Sequence, residues 1–192
     1  MKITILDASP RKGGTVSGLA AKAGEEAKSL GADVETIRVQ DLKVTACTGC
    51  MRCRSEHRCI LPPDDSLSVL KALRESDGII IAAPTYWGNM PGTLKLLFDR
   101  LVYGMMEDTP RFPKPLMKGK NAVIITACTT PWPFNRIFRQ SSGTVRAIRE
   151  ILSYSGIKVK ATLQRGGTAK HPDITDADVS KSRRLARRLL GK

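Results

Sequence analysis

Apolar residues along this chain fall into two alternating kinds of segment. The first kind is a short, nearly continuous apolar run, as at residues 3–7, 78–83 and 121–128, and such runs are typical of strands buried on both faces. The second kind repeats apolar residues every three or four positions, as a helix with one buried face does. Because the two kinds alternate five times, the pattern predicts an α/β fold with a doubly wound parallel sheet and helices on both faces.

Turn-forming and capping residues mark the ends of the predicted elements. The predicted strands cover residues 3–7, 34–39, 78–83, 121–128 and 157–163. The predicted helices cover residues 17–30, 64–75, 92–103, 141–154 and 175–190. Two long irregular stretches are left, at residues 41–63 and 104–118. We therefore expect a single domain over residues 1–192, with a cysteine-rich loop insertion at residues 41–63.

Charge is the unusual feature of the composition. The 192 residues carry a formal net charge of +14, and the densest basic cluster, at residues 181–188, alternates with leucines at helical spacing. This excess favours anionic ligands and leaves a nucleic-acid binder open as an alternative. We interpret the cluster as the solvated face of a terminal helix and expect neither nucleic acid nor a membrane as a partner. No apolar run approaches the roughly 20 residues of a membrane span, and the first run is too short for a signal peptide, so we expect a cytoplasmic protein.

The turn after the first strand has the composition of a phosphate-binding loop. Hydroxyl, cationic and glycine residues are concentrated around the start of the first helix: Ser9, Arg11, Gly13, Gly14, Thr15 and Ser17. Amides at a helix N-terminus attract anions, and glycines let the backbone approach a phosphate closely. The segment matches neither G-x-G-x-x-G nor G-x-x-x-x-G-K-[ST], which argues against a standard dinucleotide fold and against an NTPase. It suits a single phosphate.

The segment Ser9-Pro-Arg-Lys-Gly-Gly14 resembles the FMN-phosphate loop of the flavodoxin-like NADPH-dependent FMN reductase family. Two further motifs are similar to motifs of that family: P-x-Y-W-G at residues 84–88 and K-x-x-x-D-R at residues 95–100. The resemblance covers nearly the whole chain and implies strand order 2-1-3-4-5 with FMN at the switch point of the sheet. The family commonly has Asn-Thr where this chain has Thr15-Val16, so Thr15 and Ser17 would supply the hydroxyl groups.

The resemblance implies FMN contacts from three loops, each at the end of a predicted strand. The first loop contributes Ser9, Arg11, Thr15, Val16 and Ser17, the second contributes Pro84, Thr85, Tyr86, Trp87, Gly88 and Asn89, and the third contributes Thr129 and Thr130. Aromatic rings and backbone amides of the second loop suit a flat flavin ring and its polar edge. Trp132 would cover the site or pack across a subunit boundary. We interpret Cys128 as a buried small residue and Asp99 with Arg100 as an ion pair, structural or at a dimer interface.

Four of the five cysteines lie close together in the insertion, at Cys47, Cys50, Cys53 and Cys59. In a chain for which we expect no signal peptide, this crowding suggests metal or redox chemistry. The spacing suits a [4Fe–4S] cluster and is similar to the motif of the iron–sulfur flavoproteins, relatives that carry such a cluster beside FMN. Zn²⁺ and free or disulfide-paired thiols are the alternatives, since cluster-free members of the wider family have a similar run. Four basic residues surround the thiols and would stabilise thiolates or an anionic cluster, or attract an acidic electron-transfer partner: Arg52, Arg54, His57 and Arg58.

The resemblance implies an FMN-dependent NAD(P)H oxidoreductase. Such an enzyme would work by a ping-pong mechanism, in which a nicotinamide delivers hydride to the flavin and the electrons then pass to a quinone-like, other small-molecule or protein acceptor. It also implies a homodimer or homotetramer, and the sequence indicates no catalytic acid or base. The alternative is an electron-transfer protein in which a [4Fe–4S] cluster takes single electrons from ferredoxin and exchanges them with FMN.

Overall fold

The fold is built on a central sheet whose strands are connected by helices. A computed structural model describes all residues 1–192. In chain order the strands are β1 (Lys2–Asp7), β2 (Asp33–Arg38), β3 (Gly78–Pro84), β4 (Met106–Glu107), β5 (Lys114–Pro115), β6 (Asn121–Ala127) and β7 (Lys158–Arg165). The helices are α1 (Thr15–Ser29), α2 (Cys53–Glu56), α3 (Ser66–Glu75), α4 (Gly92–Met105), α5 (Phe134–Ile137), α6 (Gln140–Ser155) and α7 (Asp176–Leu190).

The central sheet is parallel and has the strand order β2-β1-β3-β6-β7. This order is the predicted 2-1-3-4-5, because β4 and β5 pair only with each other in a short antiparallel ribbon. The predicted fold class and strand order are therefore confirmed. The order changes direction between β1 and β3, and such a switch point opens a crevice at the carboxyl ends of the strands, where ligands bind in α/β sheets.

Both faces of the sheet are covered, as its apolar strands require. Alternate side chains of β3 point to opposite faces: Ile79 and Ile81 pack with α3, α4 and α6, whereas Ile80 and Ala82 pack with α1 and α7. All four side chains are at most 1% exposed. Because each face contributes one continuous apolar cluster, the sheet is a rigid platform that positions the loops at its carboxyl end.

The long loops contain short elements that the sequence pattern does not indicate. The helix α2 lies in the cysteine-rich insertion, β4 and β5 lie within residues 104–118, and α5 follows β6. Elements of two to four residues are too short to show an apolar period, so periodicity cannot reveal them. The strand β7 also extends two residues beyond its predicted end, to Arg165. None of the helices combines the length and the apolar character needed to cross a membrane.

Candidate functional site

The loops after β1, β3 and β6 meet at one small cavity at the carboxyl end of the sheet, which we call the strand-end cavity. Its volume is about 80 Å³. Eight of the residues predicted to bind FMN line it: Ser9, Arg11, Thr15, Val16, Pro84, Thr85, Tyr86 and Thr129. Thr168, from the loop after β7, lines it as well and was not predicted. Five predicted residues lie outside the lining: Ser17, Trp87, Gly88, Asn89 and Thr130.

The N-terminus of α1 forms one wall of the strand-end cavity and presents unpaired amides. The helix begins after Gly14, which has no side chain to cap it, and the amides of Thr15, Val16 and Ser17 have no acceptor in the chain. Gly13 adopts a φ of +74°, and the space that a Cβ would occupy there is open. Unpaired amides at the positive end of a helix favour an anion such as a phosphate. Val16 lacks a hydroxyl group, yet its amide is free to make such a contact.

The hydroxyl groups at the start of α1 hold the loop itself. Thr15 Oγ1 donates a hydrogen bond to the carbonyl oxygen of Pro172 at 2.6 Å, and Ser17 Oγ donates one to Asp7 Oδ2 at 2.7 Å. The guanidinium of Arg11, in contrast, is exposed and has no partner in the chain. The free donors at this wall are therefore the backbone amides and Arg11.

Asp7 is a buried carboxylate beneath the loop that joins β1 to α1. It is 4% exposed, it accepts a hydrogen bond from the amide of Ser9 at 2.9 Å, and Arg38 Nη1 lies 3.0 Å from its Oδ2. Arg38 also donates to the carbonyl oxygen of Ser9 at 3.2 Å. A lone carboxylate beneath this loop would repel a phosphate, and the Arg38 guanidinium offsets that charge. Arg11 then leaves the wall with a positive excess.

A tight turn after β3 carries the two aromatic residues of the second loop. Tyr86 and Asn89 exchange both of their main-chain hydrogen bonds at 2.9 Å, and Trp87 (φ +53°) and Gly88 (φ +69°) occupy the central positions. Positive φ at both positions is the geometry of a type I′ turn, and it costs a residue other than glycine roughly 1–2 kcal/mol. The Trp87 side chain is fully exposed, so no packing within the chain offsets this strain. Backbone strain of this kind is concentrated at ligand sites.

The turn presents its central amides and rests on α6. The amides of Trp87 and Gly88 have no acceptor in the chain, whereas the amide of Asn89 is used inside the turn and Asn89 Oδ1 accepts from the amide of Met90. A Cβ on Gly143 of α6 would lie 2.1 Å from the carbonyl oxygen of Gly88. Only glycine at position 143 therefore lets the turn approach the helix this closely.

The loop after β6 is divided between two cavities. Thr129 lines the strand-end cavity, whereas the Thr130 carbonyl oxygen accepts a hydrogen bond from the amide of Gly167 at 2.9 Å. Trp132, which we expected to cover the flavin site or to pack across a subunit boundary, lines a separate and larger groove. Cys128 is 6% exposed, and burial raises the pKa of its thiol. These properties agree with the interpretation of Cys128 as a buried small residue.

The cysteine-rich insertion encloses a second cavity, of about 380 Å³, which we call the thiol cavity. All four predicted cysteine ligands line it: Cys47, Cys50, Cys53 and Cys59. Much of the remaining wall is apolar and comes from α4 and the residues that follow it. No three Cys, His, Asp or Glu side chains of the chain lie close enough together to bind one metal ion. Four thiols have the chemistry that a [4Fe–4S] cluster or Zn²⁺ requires, but they would have to converge when the metal binds.

The basic residues of the insertion contact carboxylates rather than thiols. Arg54 Nε lies 2.8 Å from Asp108 Oδ2, and Arg52 pairs with Glu56. Burial raises the pKa of Cys53, and the neighbouring thiols raise it further. Burial and the neighbouring thiols thus outweigh any stabilisation of the Cys53 thiolate by these cations, and their role beside an anionic cluster or an acidic partner stays a prediction.

A buried ion pair clamps the two ends of the insertion together. Arg100 of α4 is 3% exposed, and its Nη1 lies 2.9 Å from Asp64 Oδ2 and donates to the carbonyl oxygen of Thr45 at 2.9 Å. Asp64 in turn accepts a hydrogen bond from the amide of Thr45 at 3.0 Å. The predicted pairing of Arg100 with Asp99 is wrong, because neighbouring side chains on a helix point in different directions. Asp99 forms an exposed pair with Lys95 instead, at 2.6 Å.

Comparison with known proteins identifies the family to which this architecture belongs. The profile of the NADPH-dependent FMN reductase family matches residues 1–155, from β1 to the end of α6. This chain belongs to that family. The iron–sulfur flavoprotein of Methanosarcina thermophila is 41% identical over 102 residues, which cover 53% of this chain and 53% of that protein. An iron–sulfur flavoprotein of Archaeoglobus fulgidus is 32% identical over 120 residues, which cover 62% of this chain and 51% of that protein. The chain thus spans about half the length of the curated relatives it matches.

Solved structures share the fold of this FMN reductase family member over almost their whole length. An FMN-dependent NADH-azoreductase from Bacillus anthracis, solved in complex with FMN, has a TM-score of 0.76 at 16% identity and covers 98% of this chain and 99% of that one. An NAD(P)H:quinone oxidoreductase from Methanothermobacter marburgensis has a TM-score of 0.75 at 18% identity, with coverages of 97% and 98%. At these identities the likeness shows a common flavodoxin-like fold.

Sequence reasoning missed the contribution of the loop after β7. Thr168 lines the strand-end cavity, and its amide donates to the carbonyl oxygen of Cys128 at 3.1 Å. The sequence does indicate this contribution, because Gly166-Gly167-Thr168 directly follows a strand. The segment combines glycine with a hydroxyl group, as the loop between β1 and α1 does. A polar loop of this composition at the end of a parallel strand indicates a further contribution to the site.

Proposed function

We propose that this member of the NADPH-dependent FMN reductase family binds FMN at the strand-end cavity and works as an NAD(P)H-dependent oxidoreductase. The observation that carries the proposal is the uncapped N-terminus of α1, where Thr15 and Val16, whose amides are unpaired, and the free Arg11 guanidinium line one cavity with Tyr86. FMN, when bound, supplies the redox chemistry by accepting a hydride from NAD(P)H and passing the electrons to a second substrate.

The residues of this chain would bind and orient the cofactor. The amides of Thr15, Val16 and Ser17 would donate to the phosphate, with Arg11 adding a charge-assisted contact. The free amides of Trp87 and Gly88 would donate to the polar edge of the flavin ring. The exposed rings of Tyr86 and Trp87 offer flat apolar surface to the flavin or to a planar substrate. These assignments match the two chemically different ends of FMN to two different walls.

We propose that hydride transfer to the flavin takes place without an acid or base from the protein. The lining contains no His, Asp, Glu or Lys. Hydride transfer between a nicotinamide and a flavin needs orientation and exclusion of water rather than a catalytic proton donor. We propose a ping-pong sequence in which NAD(P)H leaves before a quinone-like or other acceptor takes its place. Tyr86 and Trp87, both exposed, would form the platform used by donor and acceptor in turn.

We also propose that a second copy of the chain completes the site. A cavity of about 80 Å³ is far smaller than the roughly 300–1,000 Å³ of most ligand pockets, so the flavin ring would extend beyond it. Next to the turn, α5 and the residue after it expose Phe134, Ile137 and Phe138. Apolar residues clustered in this way favour a protein interface. A homodimer or homotetramer is expected in sedimentation, and Ile137→Glu is expected to shift it towards the monomer.

A matched pair of substitutions tests the FMN proposal. Arg11→Ala removes a cation that lines the strand-end cavity, whereas Lys12→Ala removes an exposed cation from the same loop that does not line it. Because a hydrogen bond to a charged group contributes about 1.5–3 kcal/mol, Arg11→Ala is expected to weaken FMN binding about tenfold or more, measured by flavin fluorescence. Lys12→Ala is expected to change it less than threefold. A purified chain that binds no FMN, or equal effects of the two substitutions, would refute the proposal.

A second candidate function adds a [4Fe–4S] cluster at the thiol cavity and ferredoxin as an electron source. It is favoured by the four cysteines that line one cavity and by the relatives described as iron–sulfur flavoproteins. Such a centre would exchange single electrons with FMN. The test is iron and sulfide analysis of anaerobically purified protein, compared between Cys50→Ser and Cys128→Ser, since Cys128 lies outside the thiol cavity. Iron that is lost only in Cys50→Ser supports the cluster, whereas zinc or metal-free thiols would exclude it.

A further inference from the structure

A long groove runs along the open edge of the sheet, where β7 has a neighbour on one side only. Its volume is about 580 Å³, within the range of small-molecule sites. The floor is formed by residues 162–165 of β7 and by Gly166, which follows the strand, and the walls are formed by α7 and α5. The residues that matter for its chemistry are Trp132, Arg136, Lys181, Arg184 and Arg188. We call it the basic groove.

The cations of the basic groove are free to bind a ligand. Lys181, Arg184 and Arg188 follow one another at helical spacing on α7, so they form one stripe that faces the groove. All three are exposed, as is Arg136 on the opposite wall, and none of the four pairs with a carboxylate of the chain. Unpaired cations on facing walls repel one another, and a bound polyanion would relieve that repulsion.

The neighbouring stripe of α7 behaves differently. Arg183 and Arg187, on the adjacent stripe of the same helix, both contact Glu26 of α1, at 3.8 Å and 2.7 Å. Neither of them lines the basic groove. Basic residues of α7 are thus divided between a structural stripe that joins two helices and an unpaired stripe. The unpaired stripe is therefore the one that faces the basic groove.

The single carboxylate in the basic groove is already neutralised. Asp178 Oδ2 lies 2.7 Å from Arg165 Nε and accepts from Thr175 Oγ1 at 2.9 Å. Burial alone would raise the pKa of Asp178, but these hydrogen bonds and the Arg165 charge hold it below its usual value. The other Arg165 nitrogens donate to the carbonyl oxygens of His171 and Asp173 at 2.7 Å. The acid therefore does not compete for the free cations, and the wall behind them is rigid.

One end of the basic groove is aromatic and adjoins the strand-end cavity. Trp132 is 73% exposed, and an exposed indole beside cations is suited to stacking with a nucleotide base. Gly166 lines the groove and Thr168 lines the strand-end cavity, so the two cavities are separated by a segment of about 7 Å. A dinucleotide is long enough to occupy both.

We propose that the basic groove binds the adenosine end of NADPH, with its base on Trp132 and its 2′-phosphate on the stripe of Lys181, Arg184 and Arg188. This inference rests on the proposed function and deepens it, because it assigns the group that distinguishes NADPH from NADH. The extra phosphate adds about two negative charges, and three unpaired cations on one stripe match that charge. The groove thereby favours NADPH over NADH, and the nicotinamide end binds at the proposed flavin site.

The test uses adenosine 2′,5′-bisphosphate as the probe, with binding to the FMN-loaded protein measured by calorimetry. Arg184→Ala/Arg188→Ala removes two cations of the groove, and Arg183→Ala/Arg187→Ala removes two from the same helix outside it. The first double variant is expected to weaken the probe at least about tenfold, and the second less than threefold. Adenosine 5′-monophosphate is expected to bind more weakly than the bisphosphate to the unsubstituted protein. Equal losses in the two double variants would overturn the proposal, since they would indicate long-range attraction only.

Two further measurements separate the possible outcomes. Trp132→Leu is expected to weaken binding of adenosine 2′,5′-bisphosphate about tenfold and to leave binding of inorganic pyrophosphate unchanged. Equal effects on the two probes would overturn the assignment of Trp132 to base stacking. In turnover, Arg184→Ala/Arg188→Ala is expected to lower kcat/KM for NADPH about tenfold while kcat/KM for NADH stays unchanged. If FMN is retained and NADPH is oxidised but this ratio does not move, the groove assignment fails and the proposed function stands. A single-stranded oligonucleotide that binds the same stripe more tightly than the bisphosphate would overturn it in favour of nucleic acid.

Discussion

Replacing Arg100 with methionine removes the charge that holds both ends of the cysteine-rich insertion and keeps much of the length of the side chain. The guanidinium contacts Asp64 and the carbonyl oxygen of Thr45, both at 2.9 Å. The side chains of Arg100 and Asp64 are only 2% and 11% exposed. The substitution therefore leaves a nearly buried carboxylate without its cation and a carbonyl oxygen without its donor.

The size of the effect follows from this burial. Breaking a buried ion pair by removing one partner costs about 3–5 kcal/mol, which is a large share of the roughly 5–15 kcal/mol that stabilises a typical domain. For a domain of this size, 1 kcal/mol corresponds to about 2–4 °C in Tm. We therefore expect Arg100→Met to lower Tm by about 6–20 °C. Lys95→Met is the control, because the Lys95–Asp99 pair lies on the same helix with about half of each side chain exposed, and its loss is expected to cost at most about 0.5 kcal/mol.

The pH dependence gives the same substitution a second readout. Burial raises the pKa of Asp64, but hydrogen bonds from Ser66 and Thr45 and the Arg100 charge outweigh it, so this pKa lies below the ordinary 3.8. A depressed carboxyl pKa contributes stability that is present above the ordinary value and is lost as pH falls through the lowered one. Without Arg100 the burial effect remains and the pKa rises. Asp64 then contributes less of the stability that is lost on acidification, so the difference in unfolding free energy between the unsubstituted protein and Arg100→Met is expected to narrow as pH falls through the ordinary and then the lowered pKa of Asp64.

Urea unfolding at several pH values measures both effects, and limited proteolysis within residues 45–64 reports whether the insertion has been released. We expect faster cleavage in Arg100→Met and an unchanged rate in Lys95→Met. Equal unfolding free energies for the two variants would refute the assignment of Arg100 as the clamp. Unchanged proteolysis of the insertion in a destabilised Arg100→Met protein would refute its local role.

Three further predictions concern the strand-end cavity. Trp87→Gly is expected to leave the apo protein about 1 kcal/mol more stable to unfolding in urea than Trp87→Ala, because glycine relieves the strain of the positive φ. Both substitutions are expected to weaken FMN binding about tenfold in fluorescence titrations. Equal stabilities of the two variants would show that the turn is unstrained. Gly143→Ala is expected to weaken FMN binding at least tenfold by pushing against the Gly88 carbonyl oxygen, whereas Gly92→Ala, with open space at its Cβ, should leave FMN affinity unchanged in the same titration. Burial raises the pKa of Cys128, so iodoacetamide at pH 8 is expected to alkylate this thiol at least about tenfold more slowly than the exposed thiols of the insertion. Mass spectrometry measures both rates, and comparable rates would contradict the burial of Cys128.

The sheet and the position of the site could be predicted because both depend on local patterns. The apolar runs at residues 78–83 and 121–128 favour strands covered on both faces, and six of the seven residues of β3 and of β6 are buried in the structure. Parallel strands bring their carboxyl ends to one edge of the sheet, so loops that follow them must meet there. The residues that converge at the strand-end cavity follow from this topology and from the motifs in those loops.

Partner choice among polar groups could not be predicted, because it depends on contacts between distant segments. Ser17 was expected to donate to a phosphate, but its hydroxyl faces the Asp7 carboxylate, which the same fold turns inward. Arg100 pairs with a residue 36 positions earlier in the chain, Asp64, rather than with the adjacent Asp99. Sequence spacing determines which face of an element a side chain occupies, whereas the partner on that face is determined by packing.

The helix α4 links the tight turn after β3 to the thiol cavity and fixes the distance between them. It begins at Gly92, directly after the turn, and Arg100 and Tyr103 on its later turns line the thiol cavity. A helix rises 1.5 Å per residue, so Gly92 and Arg100 are about 12 Å apart along its axis. The buried face of α4 packs mainly on the sheet and its neighbouring helices, and only Leu42 and Val44, at the start of the insertion, add to that apolar cluster. Releasing the insertion by Arg100→Met should therefore disorder the thiol cavity and leave the turn after β3 in place. A variant that retained its helix content but lost FMN affinity together with the clamp would contradict this separation.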